Sequence, residues 1–140
     1  MGLKVAKSKN MANREVYLQR MTFSRYNDKQ CLVYLGEEEI ESYKPKDAPE
    51  DFQPVKAYAY TGTEADGGTL IDAADESRDT LINGIIRTKY TQTEEDAIKT
   101  HQIELLKNKS IPKASEYEAE WLAFCAVREM AKTYVDRWLA

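Results

Sequence analysis

Hydrophobic and polar positions along this chain change period once, near residue 72. Before it the pattern is that of strands. From Glu15 to Phe23, Tyr17, Gln19, Met21 and Phe23 fall on one side and Val16, Leu18, Arg20 and Thr22 on the other, which predicts a β-strand. Ser24 to Gln30 supplies turn chemistry through Asn27 and Asp28. Cys31 to Leu35, apolar on both faces, predicts a buried strand that closes a hairpin with the first. Residues 36–54 hold three of the four prolines and many carboxylates, and read as an acidic connector. Val55 to Thr61 alternates again, with Lys56, Tyr58 and Tyr60 opposite Val55, Ala57 and Ala59. Across Gly62 to Gly68 stands Thr69-Leu70-Ile71, so a second hairpin is expected, with Asp66-Gly67-Gly68 providing the positive-φ residues of a tight reversal.

Beyond Asp72, read as a helix cap, the period is helical. Leu81, Ile82, Ile85 and Ile86 form one stripe, in which Gly84 weakens the helix unless a neighbour packs closely there. Thr91-x-x-Glu94 is a capping box that opens a second helix carrying Ala97, Ile98, His101 and Leu105, with Ile103 and Leu106 beside them. Ile111-Pro112 stops it. Ser115-x-x-Glu118, a further capping box, opens the last helix. The expected fold class is therefore α+β: about four strands in N-terminal antiparallel hairpins, then three helices, the last one long. One domain spans 1–140, with a flexible basic arm over 1–14, a β part over 15–71 and a helical part over 72–140.

In the last helix Tyr117, Trp121, Phe124, Arg128, Ala131, Val135 and Trp138 recur four and three apart, a heptad-like seam that Val127, Met130 and Tyr134 widen. The two preceding helices are not expected to cover its entire length, so part of it is expected to meet another chain. Tyr117, Trp121, Phe124, Arg128, Val135 and Trp138 are the candidate interface residues, because Trp, Tyr and Arg dominate binding hot spots.

Charge sharpens this picture. Residues 1–30 carry seven Lys or Arg against two acidic residues, and residues 31–80 carry four against thirteen. No aromatic interleaves with the basic residues before Tyr17, so nucleic-acid binding is not expected. The start of the chain lacks the apolar run of a secretory signal, and no stretch reaches the length of a membrane span. Cys31 and Cys125 stand far apart in apolar surroundings and read as small hydrophobes. No cofactor and no metal are expected, since two cysteines and one histidine are few ligands for zinc.

Catalytic motifs are lacking too. The loop Thr61 to Asp72 is rich in glycine and carboxylate, yet has neither phosphate-loop nor EF-hand spacing, and reads as a turn. Any nucleophile-base pair runs through His101, the sole histidine, which the pattern places as a half-buried helical residue. No catalytic residue is assigned.

The blocks YAYTGTEADGGTLIDA, LINGIIRTKYTQTEEDAI and EYEAEWLAFCAVREMAK, between Tyr58 and Val135, resemble small uncharacterised proteins encoded in phages and prophages of gut bacteria, near tail or head genes. That resemblance implies a virion structural or assembly role, and a place in the host cytoplasm or in the particle. The expected function is a noncatalytic protein–protein interaction, with itself or a partner, through the C-terminal aromatic helix. The alternative is a small acidic regulator of a nucleic-acid-binding host enzyme, in which Glu37, Glu38, Glu39 and Glu41 mimic nucleic-acid charge.

Overall fold

The computed structural model describes residues 12–140. Six strands precede three helices: β1 (Asn13–Tyr17), β2 (Phe23–Asn27), β3 (Gln30–Val33), β4 (Glu38–Tyr43), β5 (Val55–Gly62), β6 (Thr69–Asp72), α1 (Arg78–Arg87), α2 (Gln92–Lys107) and α3 (Ala114–Leu139). The class is α+β, as expected. The chain divides into two compact units, one up to Leu70 and one from Ile71 to Ala140, so the boundary falls inside β6. Most of the expected arm lies outside the described residues; Asn13 and Arg14 already belong to β1.

Strand pairing departs from the expected hairpins. Two three-stranded sheets form, in the orders β1-β5-β4 and β2-β3-β6. The continuous strand expected over 15–23 is broken at Leu18 to Thr22, and its halves join different sheets. Polar contacts hold the break: the Tyr60 hydroxyl accepts from the Met21 amide at 2.8 Å, and Arg20 lies 5.0 Å over the Tyr58 ring and 3.3 Å from Glu37. The first hairpin exists, but its leading strand is the segment read as a turn, with Phe23 opposite Val33 and Arg25 opposite Cys31.

The acidic connector contains β4, which pairs antiparallel with β5 (Glu39 opposite Tyr58, Ile40 opposite Ala57). Its carboxylates are tolerated because cations stand across the sheet. Lys56 meets Glu39 at 2.6 Å and Glu41 at 3.9 Å, and Arg14 meets Glu38 at 3.3 Å. β5 therefore pairs on both edges with β4 and β1, which leaves no edge for β6, and the second expected hairpin does not form. Among the described residues Cys31, Val33, Ala57, Ala59 and Tyr60 are the fully enclosed side chains of this unit.

In the helical unit the first cap is Ser77, not Asp72: its side chain accepts from the Thr80 amide. The Thr91–Glu94 capping box is present in both directions. Ser115 caps nothing, because α3 has already begun at Ala114, behind Lys113, after a turn closed by the Ala114 amide on the Ile111 carbonyl.

Helices α1 and α2 have 10 and 16 residues, together the 26 of α3. They lie in succession along it, antiparallel, over its length of about 39 Å. At one end Arg78 grips Asp136 through two hydrogen bonds, of 2.6 and 3.2 Å. In the middle Tyr90, between α1 and α2, packs edge-on against Phe124, with centroids 5.3 Å apart. Further along His101 of α2 meets Tyr117 and Glu120. The end of α3 near Trp138 is thus met by α1 of its own chain. Arg87 ties the junction of α1 and α2, donating to the Tyr90 carbonyl, to Asn83 and to buried Glu95, which Lys99 also bonds at 2.5 Å.

Candidate functional site

The six seam residues do not form one surface. Phe124 and Val135 are enclosed, at 1% and 0% exposure, and belong to the core of the chain itself. Tyr117, Trp121 and Trp138 are half-buried, and Arg128 is exposed. The nearby α3 carboxylates Asp136 and Glu120 are held by Arg78 and His101 respectively. Among the described residues Arg128 forms no ion pair within 4 Å; it borders a polar cleft with Arg78, Ile82, Glu95, Lys99 and Lys132.

The apolar surface lies off the seam. At the α2–α3 turn a cleft of 560 Å³ opens between the two helices, walled by Leu105 and Leu106 of α2 and by Ala119 and Leu122 of α3, with Lys109 and Glu118 on its rim. Leu106 is 64% exposed and Leu122 61%, the two most exposed large hydrophobic side chains among the described residues. Ile103, one turn before Leu106, is 55% exposed.

Local sequence explains this position. The buried stripe of α2 runs through Ile98 and Leu105, so Ile103 and Leu106, three apart, form a second stripe turned away from it. On α3, Ser115, Ala119 and Leu122 are spaced four and three, each two residues before a seam residue, and their small members leave room between the helices. This pair of secondary stripes was the available signal. Counting Leu106 with the core, and reading α3 by its aromatics, hides it.

His101 stacks on Tyr117 and joins α2 to α3. The rings are 4.0 Å apart and within 2° of parallel, and Nδ1 of His101 stands 2.6 Å from Glu120 Oε2. Those are the histidine's ring and polar contacts among the described residues, and neither cysteine is one of them. Cys31 is enclosed and Cys125 half-buried.

The Gly62–Gly68 loop is structural in its bonding. Asp66 accepts from the Gly68 amide at 3.0 Å and from the Tyr34 hydroxyl at 2.7 Å, while its carbonyl accepts from Tyr17 at 2.5 Å. Gly67 has φ +85°, and a side chain there would also meet the Tyr60 carbonyl at 2.9 Å. Burial, and then the bond to the Asp66 carboxylate, push the Tyr34 phenol above its ordinary range; burial and the same carboxylate raise Tyr17.

Among the described residues no group of three or more His, Cys, Asp or Glu is placed to hold a metal ion. No helix there is long and apolar enough to cross a membrane. The arrangement offers an apolar cleft with charged rims and no assembled reacting groups. Comparison with models of protein families, with curated proteins and with solved structures finds no match, so these residues carry the functional reading unaided.

Proposed function

We propose that this protein is a noncatalytic interaction protein, a structural or assembly component, that binds protein through the α2–α3 cleft. One observation carries the reading: Leu106 and Leu122, the most exposed large hydrophobic side chains described, wall the same cleft. A monomer gains nothing by leaving two leucines of one cleft in water, since each would be worth about 1.5–3 kcal/mol if fully buried. The binding surface is displaced from the aromatic seam: Phe124 and Val135 serve the core, and none of the six seam candidates lines the cleft. A place in a phage particle rests on the sequence resemblance alone. The acidic-mimic alternative gains no support from its residues' surroundings, since Glu37, Glu38, Glu39 and Glu41 each face a cation of the same unit.

Cross-linking in the cells that encode the protein tests the reading. Lys109 lines the cleft, Lys107 ends α2 and Lys113 precedes α3, and these three are the reporters. Cross-links from them to a second polypeptide, lost on Leu122→Lys, are the expected result. Only intrachain links, or intermolecular links that Leu122→Lys leaves unchanged, would remove the proposal.

A further inference from the structure

We propose that the polar cleft of the helical unit, separate from the apolar one and independent of its role, is a binding site for a small phosphomonoester whose phosphate is held by Arg128 and Lys132. The cleft has a volume of 390 Å³, within the range of small-molecule sites, and α1, α2 and α3 each contribute to its wall. Arg78, Lys99, Arg128 and Lys132 line it against two carboxylates, Asp79 and Glu95. Both carboxylates are answered within the chain. Glu95 is bonded by Arg87 and Lys99, and Asp79, with its side chain almost wholly in water, stands 4.0 Å from Arg78. The neighbouring carboxylates Asp136 and Glu129 are held by Arg78 and Lys132. Five cations thus stand against four anions, and the one left over is Arg128.

Arg128 is unfavourable to the helix that carries it. Its neighbours three and four residues away are Phe124, Cys125, Ala131 and Lys132: no anion, and one like charge, which destabilises a helix. Adjacent Glu129 bonds Lys132 instead, at 2.9 Å. Among the described residues Arg128 has no carboxylate within 4 Å and lies over no aromatic ring. A charge kept against local preference at the wall of a cleft marks a place where function outweighs stability. A phosphate group supplies the missing partner. The planar guanidinium matches two of its oxygens, and Lys132, one turn along, brings a point charge to the third. Lys132 is free to do so because Glu129 is 65% exposed, and surface pairs of that kind are weak enough to exchange. Two cations then meet the nearly double negative charge of a phosphomonoester at neutral pH, whereas a carboxylate would use Arg128 alone. Ile82 and Ile86 line the same cleft and give the organic part of the ester an apolar wall.

Amide chemical shifts of the labelled full chain, titrated with phenyl phosphate at neutral pH and constant ionic strength, test the site. A saturating response centred on α1 and on residues 128–132 is expected. Arg128→Gln and Lys132→Gln should each weaken binding about tenfold or more, since each removes a charge-assisted bond, while Lys113→Gln, which changes a cation outside the cleft, should leave it unchanged. Benzoate lacks the second charge and inorganic phosphate lacks the ring, so both should bind more weakly than phenyl phosphate. Melting in phosphate-free buffer gives a separate readout, in which Arg128→Gln should melt no lower than wild type. A response that does not saturate, or that survives Arg128→Gln, overturns the inference. So does benzoate or inorganic phosphate binding as tightly as phenyl phosphate. A lower melting temperature for Arg128→Gln overturns it too, because the guanidinium would then be a structural group.

Discussion

His101 lies flat on Tyr117, with ring centroids 4.0 Å apart and planes within 2° of parallel, and so pins the middle of α2 to the first turns of α3. The Glu120 carboxylate, one turn further along α3, holds the histidine's Nδ1 and fixes the ring's rotation. The only histidine of the chain is in this way used as a clasp beside the apolar cleft.

Truncating that clasp should cost stability. Tyr117→Ala is expected to lower unfolding free energy by about 1–2 kcal/mol, from lost ring contact and burial. Tyr117→Phe keeps the stack and should change it by less than about 0.5 kcal/mol. Urea unfolding of the two variants beside wild type measures both.

Gly84→Ala should destabilise, against the usual direction. In an exposed helix this change gains about 1 kcal/mol. Here a Cβ would stand 2.6 Å from the Asp72 carbonyl oxygen and 3.0 Å from Ile71 Cδ1, and the backbone oxygen cannot swing aside as a side chain would. A lower melting temperature is expected; an equal or higher one would show that α1 does not press on Asp72.

Glu95 gives the protein an acid-sensitive joint. Burial alone would raise its carboxyl, but bonds from Lys99 and Arg87 outweigh burial and hold it below the ordinary range. A carboxyl depressed in the folded state stabilises above its unfolded value, about 4.3, and that contribution is lost as pH falls through the lower folded value. Glu95→Gln should cost about 1–3 kcal/mol at neutral pH and flatten the acid limb of the stability curve. Denaturant midpoints taken from neutral pH down into the acid range read both effects.

Alkali should act on the other unit. The Tyr34 and Tyr17 phenols are raised in the folded state, first by burial and then by Asp66. Their stabilisation is complete below the unfolded tyrosine value, about 10, and is lost as pH rises through the higher folded values. Asp66→Ala should remove about 2–3 kcal/mol at neutral pH, through the lost bonds to Tyr34 and Gly68. Ultraviolet titration of phenolates alongside circular dichroism should show these two tyrosines ionising late and together with unfolding.

The helices were legible because each depends on nearby residues. Thr91 and Glu94 announce α2, and the Leu81–Ile86 stripe announces α1. Ser115 misled because a cap is decided by where the preceding turn ends, and the Ile111–Ala114 bond starts α3 one residue earlier. Sheet pairing was not legible, since which strand flanks β5 is settled by residues far away: Arg14 and Lys56 make a strand of Glu38 to Tyr43 that local propensity reads as connector. The cleft was half legible. Ile103 and Leu106 read as helical and apolar, but only the packed structure separates the stripe that α3 covers from the one it leaves open.

The succession of α1 and α2 along α3 is a lap joint: two short beams fastened to one continuous beam, with the break at Tyr90 backed by Phe124. In such a joint the long member carries load across the gap. A push on the Arg78–Asp136 end therefore reaches the Leu106–Leu122 end along α3, and whatever seats itself in the cleft is braced by the whole length of the helical unit, not by the turn that borders it.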